Sequence, residues 1–192
     1  NKCTELFACW KWTDDNLDKI VQSERTAQNG AYAVWFRDVV EADEELKNLC
    51  KSGPKQRVDN NQWYVNTRYF SELTPIKRTF YCNCIKIVPE SIDILLQNPL
   101  SLAVWFMDDG TLDWRVKDHY AYRLTTNCFS VEDNELLVGT LKKNFNVDAT
   151  TQTTLIRGKR YPRIHIGAKG RDKFKELVEP FIFSCFRHKL PP

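Results

Sequence analysis

Residues 86–110 read KIVPESIDILLQNPLSLAVWFMDDG, and this block decides the fold. Asn98-Pro99 suits a helix start. The Asn side chain can accept from an unpaired backbone N–H, and a Pro in the first turn gives up no helical hydrogen bond. The apolar run Leu100, Leu102, Ala103, Val104, Trp105, Phe106 and Met107 follows. Asp108-Asp109-Gly110 then stops it, with the Gly expected in the left-handed conformation that ends many helices. The block predicts a short apolar helix that finishes on two carboxylates.

Outward from it, helices alternate with strands. Ser130 opens a pattern in which Val131, Leu136, Leu137, Leu141 and Phe145 recur at near-helical spacing, with Glu132, Asp133 and Glu135 first and Lys142 and Lys143 last. Acids at the start and cations at the end complement the helix dipole. Residues 40–51 show the same polarity, and residues 171–183 form a third such segment. Segments rich in β-branched and aromatic residues predict strands at 32–37, 63–68, 120–126, 149–156 and 163–166. Gly158 marks a hairpin turn. The fold class is α+β.

The pattern occurs twice. Glu72-Leu73, Pro75, an aromatic and cysteine stretch and Lys86-Ile87-Val88-Pro89 match Glu176-Leu177, Pro180, a similar stretch and Lys189-Leu190-Pro191. Phe7 to Asp15 aligns with Leu102 to Gly110, pairing Asp14 with Asp109. A duplicated unit, with halves 1–97 and 98–192, is the predicted organisation.

Composition narrows the classes. The chain has 192 residues, net charge +3 and only 7 Gly and 8 Pro, which argues against fibrous or low-complexity structure. No apolar run approaches the ~18–20 residues that span a bilayer. The seven cysteines are scattered without the Cys-x-x-Cys spacing of a zinc site, so buried free thiols in a reducing compartment are expected. Charge is uneven: residues 1–100 carry 13 Lys/Arg and 14 Asp/Glu, net −1, and residues 101–192 carry 15 and 11, net +4.

Paired acids have a use here. If the helices ending at Asp14 and Asp109 pack side by side, their carboxylates converge and repel unless a cation neutralises them. Mg²⁺, with its preference for oxygen, would do so and would activate water for in-line hydrolysis. Lys86 and Lys189, one per repeat, could polarise the water or the scissile phosphate. Helix-ending acids and solvated lysines are the alternative reading of the same residues.

LAVWFMDDG resembles the second signature of the LAGLIDADG homing endonucleases, in the monomeric two-motif branch. The resemblance extends through the upstream block, through VWFRDVVEADEELKNLCKSGPKQR, and to the closing FRHKLPP. It implies two pseudo-symmetric αββαββα halves, with the signature helices at their interface and antiparallel sheets forming a saddle over duplex DNA. It implies Mg²⁺-dependent cleavage of both strands, with Asp14 and Asp109 as metal-binding acids and Lys86 and Lys189 as the active-site lysines. Nucleic-acid-binding candidates are Arg57, Arg68, Arg115, Lys117, Arg123, Arg157, Lys159 and Arg163, with Asn61 and Gln152 beside them. Arg and Gln can read base edges, whereas Lys mainly meets phosphate. Organellar residence, in a mitochondrion before a chloroplast, also follows from the resemblance.

The first signature departs from the pattern. Cys9 and Thr13 stand at the glycine places, Asp15 stands where Gly or Ala is usual, and Trp10, Lys11 and Trp12 lie within the expected helix. A near-neutral first half also neutralises few phosphates. Two nucleic-acid functions therefore stay open, with a plain protein-interaction module as a third reading. One is a monomeric site-specific DNA endonuclease. The other is a former endonuclease kept as an RNA-binding protein, such as an intron-splicing factor or a subunit of an organellar ribosome. The aromatic content (6 Trp, 7 Tyr, 11 Phe) suits either.

Overall fold

The computed structural model describes residues 11–12, 23–27, 29–69, 71, 73–83, 85–115 and 119–192, with backbone alone for 11–12, 23–26 and Glu45. The chain divides into two compact units, Asn1–Ile85 and Lys86–Pro192. This division falls earlier than the 97/98 boundary of the sequence repeat, because the short helix α3 (Ile92–Leu95) packs against α5 (Val131–Phe145) of the second unit.

In the first unit, strands β1 (Lys11–Trp12) and β2 (Ser23–Ala27) precede helix α1 (Gly30–Glu41). Strands β3 (Lys55–Gln56) and β4 (Trp63–Asn66) and helix α2 (Leu73–Phe80) follow. The sheet is antiparallel in the order β1-β2-β4-β3. A two-stranded ribbon, β5 (Tyr81–Cys82) and β6 (Ile85–Lys86), lies where the chain passes into the second unit.

The second unit runs α4 (Pro99–Asp109), β7 (Gly110–Arg115), β8 (His119–Leu124), α5, β9 (Thr150–Ile156), β10 (Lys159–Ile166) and α6 (Arg171–Val178). Its antiparallel sheet has the order β7-β8-β10-β9. Counted within each unit, both sheets share the order one, two, four, three. The repeat seen in the letters is thus a repeat of topology.

Several elements form as the sequence dictates. The Asn98 side chain accepts from Leu100 N at 3.0 Å, with Pro99 in the first turn of α4. Ser130 and Asp133 close a reciprocal capping box on α5, at 3.0 and 3.2 Å. The β9–β10 turn is Arg157-Gly158, both at positive φ (50° and 79°), as a two-residue hairpin of this twist requires.

Other expectations are corrected. Residues 32–37 are helical, inside α1. Asn29 caps that helix by accepting from Tyr32 N, and Tyr32, Ala33, Phe36 and Val40 are buried at helical spacing. Burial on one face outweighs the strand preference of aromatic and β-branched residues. The helix ends at Glu41, so residues 40–51 hold only its last turn and a 3₁₀ turn (Glu44–Leu46). The Glu41 carboxylate accepts from Cys50 N at 2.9 Å, folding the segment back toward Thr67.

Lys11 and Trp12 are strand rather than helix, registered against Glu24 and Ser23. Gly110 is extended (φ −87°), not left-handed; a Cβ there would sit 2.0 Å from the Phe106 ring. The described cysteines Cys50, Cys82, Cys128 and Cys185 are free thiols, but only Cys50 is buried. Its thiol is pushed up to about 12, by burial first and then by Glu41.

The core of the second unit gathers where α4 and α6 meet the sheet. Phe106 packs edge-on to Tyr122 and Phe174, each at 5.2 Å between ring centroids, and Tyr122 and Phe174 lie 4.9 Å apart. Leu102, Leu124, Ile164, Ile166 and Val178 surround them, all fully buried. Phe106→Ala should therefore lower unfolding stability by ~3–5 kcal/mol. Ser130→Ala, which removes only a helix cap, should cost ~1 kcal/mol. Urea denaturation of both variants would check the contrast.

Candidate active site

Helix α4 is apolar on nearly all sides and is buried accordingly, so its polar end emerges at one place. There Asp108, Asp109, Gly110, Thr111, Leu112, Thr125, His188 and Lys189 line an open cleft of about 380 Å³. Asp109 is exposed, and its backbone carbonyl accepts from Thr125 N at 3.0 Å.

A 3₁₀ segment, Ser184–Lys189, brings His188 and Lys189 to the cleft wall. The half-buried Lys189 ammonium donates to the Met107 carbonyl at 2.7 Å and reaches that of Phe106 at 3.5 Å. It takes up the Met107 carbonyl of the last turn, whereas that of Phe106 already accepts from Gly110 N, and its charge suits the negative end of the dipole. Burial pushes its pKa below the ordinary lysine value, while Asp108 and Asp109 pull the other way. His188 Nδ1 lies 2.9 Å from the Cys185 carbonyl, to which it must donate.

The expected Mg²⁺ can be tested against these donors. The exposed Asp109 carboxylate and its neighbour Asp108 offer oxygen, the ligand type a hard cation takes. Among the described residues no group of three His, Cys, Asp or Glu side chains forms a metal cluster. The donors fit as part of a coordination sphere, to be completed by water or phosphate.

The sheet of the second unit has two unlike faces. Tyr122, Leu124, Ile164 and Ile166 point into the core. The alternate positions line a second cavity of about 500 Å³, with Asp113, Arg115, His119, Ala121, Arg123, Gln152, Arg163, His165 and Arg171 in its wall. Period-two alternation places Thr111 and Thr125 on this same face, so the cavity and the Asp109 cleft share one surface. The Asp113 carboxylate accepts from Arg123 Nη2, and from Arg115 Nη2 at 3.4 Å.

The structure brings Asp109 and Lys189 into one cleft, and Arg115, Arg123, Arg163 and Gln152 onto one cavity. Lys86 is not in the cleft wall; its ammonium lies 5.6 Å from the Phe129 ring. Arg157 and Lys159 stand at the exposed β9–β10 turn, with Lys159 over Tyr161. Arg57 and Arg68 belong to the first unit, where the Arg57 guanidinium lies 5.2 Å from the Tyr64 ring and Arg68 is exposed. Asn61 is a left-handed turn residue (φ 56°), a structural role.

Asp14 and Lys117 lie outside the described residues. Sequence reasoning missed Asp113, His165, His188 and Arg171. The alternation Thr111-x-Asp113-x-Arg115 was the available signal for the first of these.

In the second unit a cationic sheet face thus lies beside a carboxylate–lysine cleft. The LAGLIDADG DNA endonuclease family profile matches residues 18–174, and the chain belongs to that family. DNA endonuclease I-ChuI of Chlamydomonas applanata is 31% identical over 136 residues, covering 67% of this chain and 62% of the relative. Cytochrome b mRNA maturase bI2 of Saccharomyces cerevisiae is 31% identical over 109 residues, covering 55% of this chain and 23% of the maturase. The chain thus spans about three-fifths and one-quarter of these two relatives. The homing endonuclease I-WcaI bound to its DNA recognition sequence shares the fold: TM-score 0.75, 23% identity, covering 100% of this chain and 87% of that one.

The His165 pKa is pushed below its ordinary value, by burial first and then by Arg123 and Arg163, with Asp113 opposing. The folded state therefore binds this proton less readily than the unfolded chain. His165 contributes no pH-linked loss above the ordinary histidine value of ~6.5, and stability falls as pH drops through the window below it. His165→Gln should flatten the slope of stability against pH below about 6.5, measured by urea denaturation.

Proposed function

We propose that this chain binds nucleic acid on its strand faces and cleaves duplex DNA in a Mg²⁺-dependent, site-specific reaction. The observation that carries the reading is the shared surface: the cleft holding Asp109 and Lys189 opens on the face that carries Arg115, Arg123 and Arg163. Phosphate contacts on such a face position a duplex, and base-edge contacts select its sequence.

Asp109, with Asp108 beside it, would hold the divalent ion. When bound, that ion supplies Lewis-acid stabilisation of the phosphate and an activated water. Lys189 is fixed by the Met107 carbonyl and keeps a positive charge beside the scissile phosphate. Asp14 and Lys86 are the proposed counterparts from the first repeat. Arg57 and Arg68 would extend the contact there, Arg157 and Lys159 would do so at the β9–β10 turn, and Lys117 is a further proposed contact.

A second reading has its own support. One relative is a cytochrome b mRNA maturase, the first signature is degraded, and residues 1–100 carry net −1. A chain that had lost its paired site would remain an RNA-binding protein, acting in intron splicing or within an organellar ribonucleoprotein. Residence in an organelle suits both readings, since relatives include intron-encoded and cytochrome b products.

Cleavage of a duplex library in Mg²⁺ separates the two. With the first reading, specific cuts appear and Asp109→Asn slows them by at least about 100-fold. Lys189→Met should slow them by on the order of 100-fold. Binding of structured RNA with no metal-dependent cutting would move the assignment to the second reading.

A further inference from the structure

We propose that Asp113 is a specificity-determining residue, which holds Arg123 and Arg115 in reading geometry and restrains charge-driven binding. The inference rests on the reading that this sheet face meets duplex nucleic acid.

The geometry follows from strand register. Asp113 on β7 lies opposite Ala121 on β8, while Thr111 lies opposite Arg123 and Arg115 opposite His119. Ala121 has no side chain beyond its Cβ, so space above it is open to the Asp113 carboxylate. From there the carboxylate meets Arg123 diagonally across the strands and Arg115 two residues along its own. Asp113 is 20% exposed, Arg123 30% and Arg115 72%. The carboxylate is therefore set into the sheet, with one guanidinium partly sheltered beside it and the other reaching outward.

Among the described residues of this cavity wall, Asp113 is the one carboxylate, against Arg115, Arg123, Arg163 and Arg171. It does not saturate them. Arg123 Nε, Arg163 Nε and His165 Nδ1 are buried without a partner among the described residues. The outward-reaching Arg115 guanidinium is the group most open to a ligand.

A carboxylate on a face that approaches phosphates weakens non-specific attraction, because it cancels one unit of charge. It also fixes the plane of a guanidinium, so less side-chain freedom is lost when that group meets a guanine edge with two hydrogen bonds. The first effect lowers affinity for any duplex. The second raises affinity for the right one. Both widen the ratio between them.

Selection from a randomised duplex DNA library, read by sequencing and by binding at several salt concentrations, tests this. Asp113→Asn should bind unselected duplex several-fold more tightly at low salt. Its logarithmic salt dependence should steepen by about 0.9, the increment of one added phosphate contact. Discrimination at one or two base positions should fall about tenfold. Arg123→Lys keeps the charge but loses the fork, so it should lose discrimination at the same positions without steepening the salt dependence. That variant also serves if Asp113→Asn does not fold.

A wild-type protein that selects no duplex would overturn the binding reading, and this inference with it. Selection by the wild type, with the same base preferences in both variants, would overturn the inference alone. Enrichment of structured RNA only would also overturn it, since the narrow A-form major groove does not admit these side chains.

Discussion

Helix α4 passes into strand β7 with no residue between them, Asp109 ending one and Gly110 beginning the other. The passage depends on the contact between Gly110 and Phe106. Any Cβ at position 110 would stand 2.4 Å from the Phe106 carbonyl as well as against its ring. Phe106 cannot yield, because Tyr122 and Phe174 hold it edge-on from the sheet and from α6. Glycine lets the backbone turn against a fixed wall. The core thereby determines where the last carboxylate of the helix emerges, at the rim of the open sheet face.

The same junction explains the placement of Lys189. A helix that ends without a loop leaves carbonyls of its last turn facing outward, and Met107 and Phe106 present theirs to the closing segment. An ammonium there has three favourable partners at once: the carbonyls, the dipole's negative end and the two carboxylates beyond. Desolvation opposes them, and the lowered pKa shows that burial is the larger influence on its proton. Lys189 is thus a structural cap and a charge beside Asp109. Its removal would disturb the helix end together with any chemistry in the cleft, which is why a comparison with Asp109→Asn separates the roles better than Lys189→Met alone.

Much of this was legible in the letters. Asn98-Pro99 and the apolar run gave helix α4, because capping and burial act locally and agree with each other. Arg123 and Arg163 were found as strand residues with polar side chains, and alternation then put them on one face. The errors have one origin. Residues 32–37 have strand-forming side chains, but Tyr32, Phe36 and Val40 also fall on one helical face, and tertiary burial decided between the two patterns. Gly110 was legible as a stop but not as a contact, since its partner ring four residues back is fixed by α6 and β8. Asp113 escaped because a lone acid on a basic face looks like an ordinary solvated residue until the register places Ala121 opposite it.

The two sheets share a strand order, yet they differ in what they offer a polyanion. Residues 101–192 hold the whole of the net positive charge, and the described arginines of the cavity wall all come from there. At physiological ionic strength charges are screened beyond about 8 Å, so a polyanion on this face responds chiefly to the charges of the face itself. The relevant quantity is therefore local charge, and the small total of +3 understates it. The two units share one strand order, and the cleft with its acid, its lysine and its cationic approach is described in the second of them.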